Sequence, residues 1–288
     1  GVASSHASAT SPGKAPMPLD LSIVVTTYNS AGVVGGLLNS IAGLQAGEAP
    51  QEVVVVDNAS SDNTLEVVGG RPGVSVLPQG RNLGLSLANN KGASAASGAH
   101  LLFLNPDVRV REGALKILMQ AAESSPGAAL LGPAMYDSRG SLQSTARTFP
   151  TLLDIALRRT PLGKSGWGEE RLRRHLFPVN ASATVRVDWL VGAAMWLTPW
   201  GRETVGTMSE RFFLYFEDVE WCWRAALRGM DVLYVPAASM EHVPRRESAS
   251  GAGGVLWHHL ASMVKFYAMH PGCSIGRFAK VRKGGSCH

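Results

Sequence analysis

Between residues 21 and 104, short apolar runs alternate with segments whose apolar residues recur at helical spacing, and few folds accept that pattern. Leu21 to Thr26 reads as a strand, because a strand covered on both faces is continuously apolar and rich in β-branched residues. Val33, Val34, Leu37, Leu38, Ile41 and Leu44 then repeat at the period of a helix. Glu52 to Val56 is a second run ending at Asp57, and Ser60, Ser61 and Asp62 offer N-caps for a helix through Val68. A third strand from Val74 to Leu77, a small-residue helix from Leu85 to Ser97 and a fourth strand from Leu101 to Leu104 complete the series. Such alternation implies a parallel sheet with helices on both faces. Ligands of these sheets bind beyond the carboxyl ends of the strands. Those ends carry Thr27-Tyr28-Asn29, Asp57-Asn58 and Asn105-Pro106-Asp107, three polar clusters expected to converge on one crevice.

The second half is less regular. Residues 150–182 carry Arg158, Arg159, Arg171, Arg173 and Arg174 among Pro, Gly and Trp, and read as a variable excursion. Trp189 to Leu197 resumes a strand-like run. Val219, Trp223, Ala226 and Leu227 mark a helix entered at Glu217-Asp218 and closed near Gly229. Val232 to Val235 reads as a further strand, and Leu256, Leu260, Met263, Val264 and Tyr267 as one face of a late helix. Hydrophobic residues make up 45% of the 288, enough for the core of one large α/β domain, and no linker cleanly splits the chain.

A net charge of +5 favours anionic partners such as nucleotides or lipid phosphates. No interleaved basic and aromatic pattern of a nucleic-acid module is present, so nucleic acid is not an expected partner. Cys222, Cys273 and Cys287 are odd in number and lack paired spacing, which argues against a disulfide framework and fits a reducing cytoplasm. Apolar runs such as Val53 to Val56 are too short to span a bilayer, no secretory signal is visible, and residues 1–18 read as a disordered leader.

Taken singly, the polar clusters have ordinary structural explanations. Asp57 suits a strand-end turn, Asn105-Pro106-Asp107 suits a turn, and Glu217 and Asp218 suit a helix start, where the macrodipole favours carboxylates. Their order and spacing say more. Val24-Val25-Thr26-Thr27-Tyr28-Asn29, Asp57-Asn58-Ala59-Ser60-Ser61-Asp62-Asn63-Thr64, Asn82-Leu83-Gly84, Asn89 and Asn105-Pro106-Asp107 are followed by Gly192, Phe212-Phe213-Leu214-Tyr215-Phe216-Glu217-Asp218, Arg224, Gly229 and His242. Over roughly residues 20–250 this series resembles the family-2 inverting glycosyltransferases of bacteria, in particular the branch of rhamnosyltransferases and galactofuranosyltransferases.

That resemblance implies a GT-A type α/β fold, Rossmann-like, with a mostly parallel central sheet flanked by helices. A single domain would span 19–270, with a nucleotide-binding half (19–110), an acceptor and catalytic half (111–250) and a C-terminal helix (251–270), followed by a basic tail (271–288). Thr26 and Tyr28 would hold the nucleotide, with Asn58, Asn82 and Asn105 beside them. Asp57 would accept the pyrimidine ring N–H, and Arg81 would touch base or phosphate unless it is simply an exposed loop arginine. Asp107 and His242 would hold a divalent cation, manganese or magnesium, that offsets charge on the leaving diphosphate. Asn105 stands where the family's metal motif has Asp, which weakens that set. Asp218 would be the general base of a single displacement. Glu217 would orient acceptor hydroxyls or support the helix start. The donor would be dTDP-rhamnose, or UDP-galactofuranose or another UDP-hexose, and the acceptor a glycan, a lipid-linked glycan or a small molecule. An inactive nucleotide-binding scaffold is the competing class, against which Asp107, Asp218 and His242 stand. Trp189 and Trp196 are read as core or as flanking the sugar, and Trp221 and Trp223 as core. Trp257, Phe266 and Tyr267 with Arg277, Lys280, Arg282 and Lys283 form either a peripheral face at the inner membrane surface or a packed helix with a solvated tail.

Overall fold

The computed structural model describes residues 17–274 apart from 46, 152, 155–156, 158–159, 175–182 and 244–251. Arg158, Arg159, residues 1–16 of the leader and residues 275–288 of the tail therefore lie outside the described residues. The strands in chain order are β1 Leu19–Thr27, β2 Pro50–Asp57, β3 Val74–Pro78, β4 His100–Leu104, β5 Val108–Val110, β6 Ala128–Tyr136, β7 Leu142–Gln143, β8 Ala146–Arg147, β9 Val185–Arg186, β10 Trp189–Leu190, β11 Ala194–Leu197 and β12 Asp231–His242. The α-helices are α1 Ala31–Ala42, α2 Thr64–Val68, α3 Leu85–Ala95, α4 Ala114–Glu123, α5 Gly166–Arg174, α6 Pro199–Thr204, α7 Glu217–Leu227, α8 Ala252–Met269 and α9 Pro271–Ser274.

The main sheet runs β3-β2-β1-β4-β11-β6-β12-β5, with β7 on β6 and β9 on β12. The first four strands are parallel, as their unbroken apolar character requires. Leu21, Ile23, Val24 and Val25 are fully buried. Ile23 and Val25 face one apolar cluster with α1 and α4, while Val24 faces the other with α7 and Phe266. Burying each such side chain stabilises the fold by about 1.5–3 kcal/mol. β11 enters antiparallel between β4 and β6, and β12 then runs parallel to β6. The sheet is thus mixed but mostly parallel.

Several expected elements differ in detail. The run Trp189 to Leu197 is two strands in different sheets: β10 pairs with β8 in a separate ribbon, while β11 joins the main sheet. Between them Gly192 donates its N–H to Asp218 Oδ2 at 2.9 Å, which turns the chain out of the strand. α2 begins only at Thr64, because the carboxylate of Asp62 accepts from the backbone N–H of Thr64 and of Ala31 at the start of α1. β12 extends to His242, so that residue sits on the strand and not after it. The late helix buries its expected face in part: Met263 and Tyr267 pack against the core. Val264 is 64% exposed and Trp257 69%, whereas Ser262 and Phe266 are buried and Tyr267 Oη donates to the Pro150 carbonyl at 2.7 Å. Of the three aromatics considered for a membrane face, only Trp257 points outward. The first residues after 270 form the short α9, with Cys273 buried. Trp196, Trp221 and Trp223 are core residues. Among the described residues no helix is long and apolar enough to cross a membrane.

Arg224 ties α7 to the preceding turn. Its guanidinium pairs with buried Glu220 at 2.9 Å and donates to the carbonyls of Val205 and Thr207 at 2.6 and 2.7 Å. Removing one partner of a buried pair strands the other charge, at a cost of about 3 kcal/mol or more. Arg224→Ala is therefore expected to lower the melting temperature by about 6 °C or more. A melt unchanged within error would show that this pair contributes nothing to stability.

Candidate active site

The loops that follow β1, β2 and β4 meet at a cleft of about 470 Å³ lined by Thr26, Tyr28, Asn58, Asn82, Asn105 and Asp107, together with Gly84 and Phe213 to Tyr215. These loops hold one another. Asn29 Oδ1 accepts from the Ser61 N–H at 2.7 Å, and its own N–H donates to Ser60 Oγ at 2.9 Å. Asn58 Nδ2 donates to Asn82 Oδ1 at 2.8 Å, and Asn58 Oδ1 accepts from the Leu83 N–H at 2.8 Å. Thr26 Oγ1 donates to Asn89 Oδ1 at 2.7 Å. Among the described residues, the non-glycine positions with positive φ are Asn29, Ala59, Tyr215 and Phe216, all in loops at this end of the sheet. Backbone held in that region costs free energy and clusters where geometry serves function.

Asp57, at the end of β2 beside Asn58, is not among the residues that line the cleft. It is 1% exposed, and its carboxylate accepts from Thr27 Oγ1 at 2.9 Å, from the Ser60 N–H at 3.0 Å and from Ser60 Oγ at 2.6 Å. Arg81 is exposed and does not line the cleft.

Asp107 and His242 come together because β5 follows Asp107 directly and pairs antiparallel with the end of β12, setting Val108 opposite His242. His242 Nε2 lies 3.4 Å from Asp107 Oδ1. The carboxamide of Gln143 grips the histidine from behind. Its Nε2 donates to the His242 carbonyl at 2.9 Å, so its Oε1, 2.9 Å from Nδ1, must be the acceptor. Nδ1 therefore carries a proton, and Nε2 is the ring nitrogen on the Asp107 side. Nothing in the sequence pattern singled out Gln143.

Glu217 and Asp218 open α7, directly after the left-handed residues Tyr215 (φ 68°) and Phe216 (φ 65°). Asp218 Oδ2 accepts from Gly192, and Oδ1 accepts from the Val219 N–H at 2.8 Å. Burial raises the Asp218 pKa, while those backbone bonds and the charge of Arg147 pull it back. Arg147 also lies 5.4 Å over the ring of Trp189, so that tryptophan packs on the cation that acts on Asp218. Glu217 is 5% exposed, and its Oε2 has no hydrogen-bond partner among the described residues. Burial, with the neighbouring Asp218 charge, pushes its pKa up to about 8.

Asp218 is not among the residues that line the cleft, but it is linked to them through the backbone. The Asn105 N–H donates to the Ala193 carbonyl at 3.0 Å, and adjacent Gly192 donates to Asp218. From Asp107 to Asp218 the path is thus a few residues and two hydrogen bonds.

A raised carboxyl pKa has a definite consequence for stability. The folded chain holds a proton on Glu217 that the unfolded chain releases near pH 4.5. The contribution is fully present below that pH and is lost as pH rises through about 8. Glu217→Gln, which cannot ionise, is expected to melt higher than wild type at pH 8.5, by about 2 °C or more, with the gap closing near pH 4. A gap independent of pH would mean that Glu217 is ionised in the folded protein.

Comparison with known proteins agrees with this architecture. The model of the "Glycosyl transferase family 2" matches residues 22–178. The N-acetylglucosaminyl-diphospho-decaprenol L-rhamnosyltransferase of Mycobacterium tuberculosis is 29% identical over 269 residues, covering 88% of this chain and 85% of that protein. Rhamnosyltransferase WbbL of Escherichia coli K12 is 24% identical, covering 85% of this chain and 92% of its own length. Among solved structures, GalNAc-T7 with UDP, GalNAc and Mn2+ superposes with a TM-score of 0.60 at 17% identity, over 80% of this chain and 44% of that one. S. aureus TarS 1–349 in complex with UDP-GlcNAc superposes with a TM-score of 0.55 at 20% identity, over 79% and 59% of the two chains. At such identities the structures establish a shared fold only. The family match covers more than half of the 288 residues, and with the GT-A architecture it makes this chain a member of glycosyl transferase family 2, a glycosyltransferase.

Proposed function

We propose that this enzyme transfers rhamnose from dTDP-rhamnose to a hydroxyl of a lipid-linked glycan, inverting the anomeric carbon in one displacement. One observation supports the reading: Asn105 and Asp107 line a cleft of nucleotide size, and the backbone at Asn105 is joined to Asp218 through Ala193 and Gly192. The printed name of the M. tuberculosis relative, a rhamnosyltransferase acting on a diphospho-decaprenol sugar, supports both donor and acceptor class.

Thr26, Tyr28, Asn58 and Asn82 bind the nucleotide. Asp57 spends three of about four acceptor lone pairs on Thr27 and Ser60 and directs the remaining one to the base N–H. Asp218 takes the acceptor hydroxyl proton while that oxygen attacks the sugar carbon from the face opposite the diphosphate. The new carbon–oxygen bond forms as the old one breaks, and the electron pair leaves with the nucleotide diphosphate. Its raised pKa makes Asp218 a stronger proton acceptor than an ordinary aspartate. Glu217, neutral at pH 7, donates a hydrogen bond to the acceptor.

Asp107 Oδ1 and His242 Nε2 face one point, with Asn105 two residues away, and this donor set fits a divalent cation of the manganese or magnesium type. Among the described residues no third His, Cys, Asp or Glu joins them, so diphosphate oxygens and water must complete the shell. When bound, the cation supplies Lewis-acid stabilisation of the departing diphosphate. Gln143 orients His242 for it.

Asp218→Asn is expected to lower turnover by about 10²-fold or more while leaving dTDP binding within about threefold. Equal product from variant and wild type would retire the base assignment. In a thermal-shift series, dTDP-rhamnose is expected to stabilise the enzyme more than UDP-hexoses, and the reverse order assigns a UDP donor.

Gln143→Leu is expected to weaken Mn2+ binding in the presence of dTDP by about 10–100-fold, read by electron paramagnetic resonance of the free ion. Unchanged affinity would remove His242 from the metal shell or Gln143 from its support.

A further inference from the structure

We infer that α8, well beyond residues 22–178 where the family model matches, is a working part of the active site. Ser262, supported by His258, His259 and Phe266, is a positioning residue that holds the strained loop presenting Asp218. This rests on the reading of Asp218 as the base.

The loop has reason to move. Tyr215 and Phe216 are consecutive left-handed residues without the freedom of glycine, a conformation that is unfavourable for L-residues with a Cβ. Such a conformation persists only where surrounding contacts over-determine it. On the donor side the loop is pinned at Phe213, whose carbonyl accepts from the Leu85 N–H at 2.7 Å. Gly84 makes that approach possible, since a Cβ there would lie 2.6 Å from the Phe213 carbonyl oxygen. From Leu214 onward the contacts come from α8. Ser262 Oγ donates to the Leu214 carbonyl at 2.8 Å. The His259 ring lies 5.4 Å from the rings of both Tyr215 and Phe216, and fully buried Phe266 lies 5.6 Å from Phe216. His258 stacks on Phe213 at 4.9 Å with planes 21° apart, and Lys265 Nζ donates to the Arg211 carbonyl.

Ser262 is the informative member. A serine inside a helix ordinarily turns its hydroxyl back to the carbonyl one turn earlier. Here the hydroxyl, 6% exposed with its residue, leaves its own helix for a loop carbonyl two residues before the αL pair's end. Leu214 and Tyr215 also line the cleft, but Phe213 is anchored separately on Gly84 and Leu85, so loosening Leu214 to Phe216 should disturb the base more than the nucleotide loops after β1 and β2.

The test is a kinetic double-mutant cycle on the full chain, with dTDP-rhamnose and a lipid-linked acceptor as substrates. Ser262→Ala and His259→Ala, each confirmed folded by circular dichroism, are expected to lower kcat about tenfold with the donor KM within about twofold. In an Asp218→Asn background, followed at high enzyme concentration, Ser262→Ala should cause no further loss, because a residue acting through Asp218 has nothing left to position. Unchanged kcat in both single variants overturns the proposal, as does a full tenfold additional loss in the Asp218→Asn background. Should Asp218→Asn alone turn over at the wild-type rate, the base reading fails first and this inference goes with it, by a separate and recognisable observation.

Discussion

The pairing of β11 against β4 is the contact on which the site depends. Parallel strands β1, β2 and β4 deliver their loops to one edge, but parallel topology alone places no carboxylate opposite them. β11 arrives antiparallel, Ala194 against Leu104, so its beginning lies beside the end of β4. The pairing continues one step further, with the Asn105 N–H on the Ala193 carbonyl, and Gly192 then turns out of the strand to reach Asp218. One antiparallel strand thus joins the loops of β1, β2 and β4 to the start of α7.

Electrostatics at this junction follow from burial. Two adjacent carboxyls at the start of α7 sit where the helix dipole favours negative charge, but Glu217 is too deeply buried to ionise cheaply beside Asp218. The pair separates into unequal partners: Asp218 accepts two backbone N–H bonds, which favour its charged form, while Glu217 Oε2 has no such partner among the described residues. Similar side chains in adjacent positions are thereby suited to different work, one as proton acceptor and the other as hydrogen-bond donor.

Much of the first half was legible from the chain alone, because strands buried on both faces have no choice but to be apolar and their ends must be polar. Of the three strand-end clusters, Tyr28, Asn58, Asn105, Pro106 and Asp107 line one cleft, joined by Thr26 and Asn82, which only the family resemblance had marked. What was not legible depends on contacts distant in sequence. The run Trp189 to Leu197 is uniformly apolar, and only the bond from Gly192 to Asp218, 26 residues away, shows why it breaks. Gln143 belongs to a two-residue strand with no periodicity to betray it, and its meaning appears only when β6 carries it beside β12. The late helix misled for another reason. Val264 and Tyr267 are both apolar enough to suit a buried stripe, but the loop that α8 must support fixes its rotation, turning Ser262 and Phe266 inward and Val264 out.

That rotation bears on how the fold carries strain. Left-handed residues at Asn29 and Ala59 are held by serines within the nucleotide half, through Asn29 N–H to Ser60 Oγ and Ser60 to Asp57. Tyr215 and Phe216 instead depend on a helix from the far end of the chain. The loops after β1 and β2 are therefore self-supporting, while the loop that leads into Asp218 is held by packing against a helix distant in sequence.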